Sequence, residues 1–207
     1  GAAGRARLLA HFTIEEMVSV FDILRVNANP ARFDAKKCEA INAAHIRRLS
    51  TEQLTEQLLP FLQGAGLVAD PPTPKQWDRL VGATPLIQER MTTLSEGVEL
   101  IRFLFTPNAE IVIDESVALP ATAGAVLDAA ASALRTVKPF DHESIEAALR
   151  TALIDGLGLK PRLAFGPVRV AVTGKKISPP LFESLELLGR KSSLTRIEAA
   201  RAGLSRD

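Results

Sequence analysis

The side chains best placed to do chemistry stand between Arg162 and Arg190, in the stretch RLAFGPVRVAVTGKKISPPLFESLELLGR. Arg169, Lys175 and Lys176 are cations, Ser178 is a hydroxyl, and Gly174 precedes the lysine pair. A nucleotide-cradling phosphate loop needs two spaced glycines followed by lysine and a hydroxyl, so that backbone amides surround the phosphates. Here Arg169 stands at the first glycine's position and Lys176 at the hydroxyl's, so that chemistry is excluded. A lysine-serine loop that activates ATP is excluded too, because Pro179 and Pro180 follow Ser178 where further cations are required. The spacing instead predicts a helix start. Ser178 is the expected cap, Pro179 fixes the next dihedral, Leu181, Leu185 and Leu188 form an apolar stripe, and Gly189 closes the helix. Lys175, Lys176 and the free amides of such a helix end attract an anion or the edge of a base. A plain capped helix with solvated lysines is the alternative.

Other constellations offer less. Cys38 and His45 are seven residues apart on one predicted helix, too far for a direct thiolate–imidazole hydrogen bond. Cys38 is therefore expected as a small core residue. His11 precedes a cap and is expected to be exposed, and His142 falls in a helix's first turn. Three scattered histidines and one cysteine predict no metal site and no disulfide framework. Glu15 and Glu16 are explained by helix capping. No catalytic residue is identified. Trp77, with Leu80 and Val81 at helical spacing, reads as core, and the absence of tyrosine argues against an aromatic RNA-recognition sheet.

The elements that must hold these residues are helical. Thr13 to Glu16 and Ser50 to Gln53 are capping boxes, and Thr73-Pro74 is a third start with proline at the first helical position. Phe12 with Met17 and Leu49 with Leu54 stand where hydrophobic staples sit. Asp141 caps a fourth helix, with Ile145, Leu149, Ala152 and Leu153 on one face and Gly156 and Gly158 at its end. Residues 121–134 are alanine-rich and apolar at helical spacing. Strand signals are weak: Ile111-Val112-Ile113 reads as extended, and residues 169–172 as a helix or an extended connection. We expect an all-α protein of about ten helices in consecutive small bundles, divided at 1–50, 51–105 and 106–207.

The 207 residues are 46% hydrophobic and 24% charged, enough for a core and unlike a disordered tail. No apolar run is long enough to span a membrane. The N-terminal GAAGRARLLA lacks a signal peptide's apolar stretch. A cytoplasmic protein is expected. The net charge of +1 hides a pattern: the formal charge is +3 over residues 1–48, −8 over 49–159 and +6 over 160–207. A polyanion is drawn to the two ends and repelled by much of the middle.

Three segments, taken in order, carry a family resemblance. The first is HFTIEEM from His11 with VNANPARFDAKKCEAINAAHIR from Val26 to Arg47. The second is LIQERMTTL from Leu86 to Leu94, leading to Arg102-Phe103-Leu104-Phe105. The third is GPVRVAVTG from Gly166 to Gly174 with SPPLF from Ser178 to Phe182. Together they resemble the C-terminal half of a bacterial glutamyl-tRNA synthetase of actinobacterial type, over nearly the whole chain. The resemblance implies an elongated, helical anticodon-binding region of a class I aminoacyl-tRNA synthetase. The family's catalytic half carries a His-Ile-Gly-His-like motif and a lysine-serine loop, and neither is present here. The chain thus resembles a piece that begins in the stem-contact region (1–50) and continues through two anticodon-binding subdomains (51–105 and 106–207).

The resemblance also implies roles. Arg90 matches the arginine that reads the third anticodon base, a task suited to a planar fork of donors. Arg169, Ser178, Pro179 and Leu181 match the segment that contacts the first two bases, with Ser178 offering a hydroxyl and Leu181 and the proline rings apolar contact. Pro180 departs from the glycine of some relatives. Lys36, Lys37, Arg47, Arg48, Lys175 and Lys176 are candidates for backbone phosphates. The implied partner is tRNA(Glu), with tRNA(Gln) as a second possibility, and the protein is expected to be monomeric. The piece itself should need no cofactor, while the intact ligase uses ATP and magnesium. The rival readings are an all-α protein–protein interaction module without RNA binding, and a free-standing enzyme using Cys38.

Overall fold

The computed structural model describes residues 13–25, 34–114 and 117–204. Those residues form ten α-helices and no strand, so the fold is all-α as expected. The helices are α1 (Ile14–Val20), α2 (Ala35–Arg48), α3 (Thr51–Gly64), α4 (Pro74–Ile87), α5 (Leu94–Phe105), α6 (Ala123–Thr136), α7 (His142–Leu149), α8 (Pro161–Thr173), α9 (Leu181–Leu188) and α10 (Arg190–Gly203). Short 3-10 turns at Gln88–Arg90 and Asn108–Glu110 and a π turn at Arg150–Asp155 extend the connections.

Five of the ten described helices start at a side-chain cap. Thr13, Ser50 and Thr73 each accept from the amide three residues on, and Glu16, Gln53 and Gln76 reach back to close the box. Asp141 accepts from the Ser144 amide at 2.8 Å. Satisfying otherwise orphaned amides in this way is worth about 1 kcal/mol per cap. Gly174 and Gly189 end α8 and α9 with φ of +77° and +82°. Phe12 and His11 lie outside the described residues, and so does much of the first resembling segment.

The apolar stripes close onto one contiguous core. Leu54, Leu58 and Leu62 of α3 are fully buried against Leu80 and Ile87 of α4 and Ile101 of α5. Each such side chain contributes about 1.5–3 kcal/mol of burial. In the second half, Ala130 and Ala131 keep α6 thin where it packs along α10, and Ile145, Leu149 and Leu153 are buried together. The chain at Ile111 is extended, and Asp114 N–H donates to the Gly174 carbonyl at 3.0 Å. Residues 169–172 belong to α8.

Three expectations are corrected. Cys38 is exposed on α2, not part of the core. Ser178 caps no helix: α9 begins at Leu181, with Pro180 at the cap position and no side-chain capping bond. Two consecutive prolines hold the chain extended past Ser178, which moves the helix start beyond its reach. Trp77, read as core, is only half-buried.

Candidate functional site

The C-terminal end of α8 delivers the chain at Gly174 into an exposed tip, Lys175 to Ile177, and then back inward at Ser178. Gly174 is fixed twice over. Its φ is left-handed, and a Cβ there would collide with the Val112 carbonyl oxygen. Thr173 pins the tip by donating to the Arg169 carbonyl at 2.8 Å and accepting from the Lys175 amide at 3.2 Å. Phe182 at the head of α9 meets Phe165 of α8 edge to face, with centroids 5.3 Å apart.

Two arginines from different parts of the sequence converge on the turn. Arg169 Nη1 donates to Ser178 Oγ at 2.7 Å and to the Pro179 carbonyl at 2.9 Å. Arg90 Nη1 donates to the Ser178 carbonyl at 2.9 Å, and that oxygen lies 3.5 Å from Arg169 Nη1. Arg90 is exposed and Arg169 half-buried. Burial, and then the like charge of Arg90, hold the Arg169 guanidinium below its ordinary range. The oxygens that Arg169 meets are neutral, those of Ser178 and Pro179, so its charge is solvated by the turn and not cancelled there.

Ser178 is buried at 6% exposure and Leu181 at 3%, and Pro179 is buried as well. The Ser178 hydroxyl is taken by Arg169, and the Leu181 side chain faces the core. These three side chains shape the loop from beneath, contrary to the expectation that they offer a hydroxyl and an apolar surface. The exposed apolar surface comes instead from Ile177 and Val112, at 80% and 79%. Both line an open groove of about 600 Å³, together with Arg90, Lys175, Ser178 and three carboxylates, Glu96, Glu99 and Glu110. Glu96 is engaged by Thr92, whose amide and hydroxyl donate to its two oxygens. Glu99 holds Arg102 on one oxygen and Lys175 on the other. Those hydrogen bonds, Arg102's first, keep its carboxyl below the usual range.

An anion-attracting loop beside a groove, carried by helices, is compatible with several folds, and comparison with known proteins decides between them. A family model described as an anticodon binding domain matches residues 53–201. The chain belongs to that family. Curated relatives of the anticodon-binding domain include the glutamate–tRNA ligase of Kocuria rhizophila, 54% identical over 196 residues, and that of Kineococcus radiotolerans, 50% identical over 195. The alignments cover 94% and 93% of this chain but 39% of each relative. The chain thus spans about two fifths of the length of the curated relatives it matches. A solved glutamate tRNA ligase from Elizabethkingia meningosepticum superposes with a TM-score of 0.80 at 20% identity, over 93% of this chain and 37% of that one. A likeness at that identity speaks for the fold alone.

The cations expected on phosphates occupy separate places, four before the matched residues and two within them. Lys36, Lys37, Arg47 and Arg48 are exposed on α2, and Lys175 and Lys176 on the loop tip. Arg47 pairs with Glu89 at 2.8 Å, beside Arg90 in sequence. Lys175 pairs with Glu99 at 3.3 Å.

Two further arginines hold the groove's frame and escaped the sequence reading. Arg196 of α10 is 3% exposed. Its Nη1 donates to the carbonyls of Phe103 and Val172 at 3.0 and 2.8 Å, its Nη2 to Thr106 at 2.8 Å and its Nε to Asn108 Oδ1 at 2.8 Å. The charge is met by the negative ends of α5 and α8. Burial, and then the like charge of Arg79, push it down to about 10. Arg79 of α4 donates to the carbonyls of Leu104 and Leu187, tying α5 to α9. Only the spacing of Arg196 with Ser193 and Ile197, both fully buried, marks it in sequence as lying on an inward face.

Proposed function

We propose that this chain is the anticodon-recognising, tRNA-binding C-terminal part of a glutamate–tRNA ligase. The observation that carries the reading is the meeting of Arg90 and Arg169 on the turn at Ser178, at the edge of an open groove. Forked donors already aligned against a backbone turn can exchange a carbonyl partner for the edge of an unstacked base at little ordering cost. Arg90 is assigned the third anticodon base. Arg169 and the turn through Ser178, Pro179 and Leu181 are assigned the first two, with the buried side chains setting the loop's shape. Lys36, Lys37, Arg47, Arg48 and Lys176 are assigned to phosphates, which give affinity without sequence information, and Lys175 to a phosphate that it reaches only by leaving Glu99.

In this reading the partner is tRNA(Glu), and residues 1–50 contact the inner corner of the tRNA while 51–105 and 106–207 bind the anticodon. Glutamate activation with ATP and magnesium belongs to the intact ligase, a cytoplasmic monomer. Filter binding with tRNA(Glu), tRNA(Gln) and anticodon-substituted tRNA(Glu) over a salt series tests it. Affinity for tRNA(Glu) that falls steeply with salt and drops on anticodon substitution is expected. Absence of RNA binding would leave the chain as a protein–protein interaction module, and binding indifferent to the anticodon would remove the base-reading role.

A further inference from the structure

The groove contains a charge that an RNA site would not be expected to keep. Glu99, on the exposed side of α5, reaches between two cations: its Oε1 accepts from Arg102 Nε and Nη2 at 2.8 and 2.6 Å, and its Oε2 accepts from Lys175 Nζ at 3.3 Å. Lys175 and Arg102 line the same groove as Arg90 and Ser178. The carboxylate therefore occupies, on Lys175, the position that a phosphate oxygen would take. A phosphate approaching Lys175 meets a like charge, and must either displace Glu99 or share the ammonium with it.

We infer that Glu99 is a specificity-determining residue that suppresses base-independent RNA binding by holding Lys175 away from phosphates. The inference rests on the anticodon-binding reading above and adds to it. An RNA held by base edges at the Arg90 end of the groove needs no phosphate on Lys175. An RNA held by its backbone alone does, and it alone bears the full cost of breaking the Glu99–Lys175 contact. Discrimination thus comes from a penalty on wrong ligands as well as from contacts to the right one. Arg102 keeps the carboxylate ionised and aimed, since its two donors grip one oxygen and leave the other for Lys175.

The test compares wild type, Glu99→Gln and the double variant Glu99→Gln with Lys175→Met, using tRNA(Glu) and tRNA(Glu) with a scrambled anticodon. Glu99 is a surface residue, and glutamine keeps its shape. Glu99→Gln should tighten scrambled-anticodon binding about threefold, the scale of an exposed charge pair, while cognate binding changes less. The salt dependence for the scrambled RNA should steepen by up to about one phosphate's worth. The double variant should return scrambled binding to the wild-type level or below. An unchanged ratio between the two RNAs in Glu99→Gln overturns the inference, and so does a gain that persists in the double variant. If wild type itself ignores the anticodon or binds no tRNA, the reading beneath the inference has failed, and that result is visible before any variant is made.

Discussion

Nη1 of Arg196 donates to the Val172 carbonyl at 2.8 Å, joining the middle of α10 to the last turn of α8. The same guanidinium reaches the last turn of α5 through Phe103 and Thr106. The two helices that line the groove, α5 and α8, are therefore tied to α10 by one buried cation. Replacing Arg196 by methionine keeps much of the volume but strands those carbonyls in the interior. We expect a loss of about 3 kcal/mol in urea unfolding, the cost of leaving several buried acceptors unsatisfied. Lysine should recover only part of it, because one ammonium cannot reproduce the fork. A methionine variant within about 0.5 kcal/mol of wild type would mean that other groups can satisfy those carbonyls.

Gly174 sits where two demands coincide. The backbone there is left-handed, and the Val112 carbonyl lies where a Cβ would be. Its own carbonyl accepts from Asp114 N–H at 3.0 Å, so the extended segment and the loop are tied at this point. Gly174→Ala should cost about 2 kcal/mol or more, from strain and the forced shift of one backbone away from the other. Cognate tRNA affinity should fall further than stability alone accounts for, since the displaced residues are those that carry Lys175 and Ser178. Denaturation and filter binding on the same preparation separate the two effects, and a variant that unfolds earlier but binds normally when folded contradicts the second.

His142 opens α7, and its Nδ1 lies 2.8 Å from Glu186 Oε2 on α9, which also accepts from the His142 amide at 2.9 Å. The hydrogen bond to Glu186 comes first among the causes that raise the imidazole above its ordinary 6.5, with Glu183 and Glu143 adding to it. A raised folded value means that the native state binds this proton more tightly than the unfolded chain. The contribution is complete below 6.5 and is lost as pH rises through the folded value. The urea midpoint should therefore fall as pH rises above 6.5, and His142→Gln should flatten that slope. An identical slope in the glutamine variant would assign the dependence to other groups.

How much of this was readable in advance depends on the range of the interaction. The capping boxes at Thr13, Ser50 and Thr73 and the cap at Asp141 are written within four residues, and each helix starts where its box predicts. The stripe of Leu181, Leu185 and Leu188 is buried as its period requires. Ser178 caps no helix because a cap must immediately precede the first turn, and the two prolines delay that turn. The small size of Cys38 suits either side of a helix, and the exposed side of α2 is the one it occupies. Arg196, Arg79 and Glu99 were invisible for a different reason. The partners that give them their roles lie 24 to 108 residues away, and no local pattern separates a buried or bridging charge from a solvated one.

Arg90 offers the most direct trial of the base-reading assignment. It stands exposed at the end of a 3-10 turn, with Nη1 already on the Ser178 carbonyl. Alanine removes both the charge and the fork, whereas lysine removes only the fork. If Arg90 reads one base, Arg90→Ala should cost roughly 1–3 kcal/mol of discrimination at a single anticodon position, and little at the other two. Arg90→Lys should keep most of the salt-dependent affinity while losing that discrimination, because a point charge still attracts phosphate but cannot pair with a base edge. Binding to tRNA(Glu) transcripts substituted one anticodon position at a time supplies the comparison. An equal loss against every transcript, restored by lysine, would make Arg90 a phosphate contact. The reading of the third base would then have to pass to another donor on the groove.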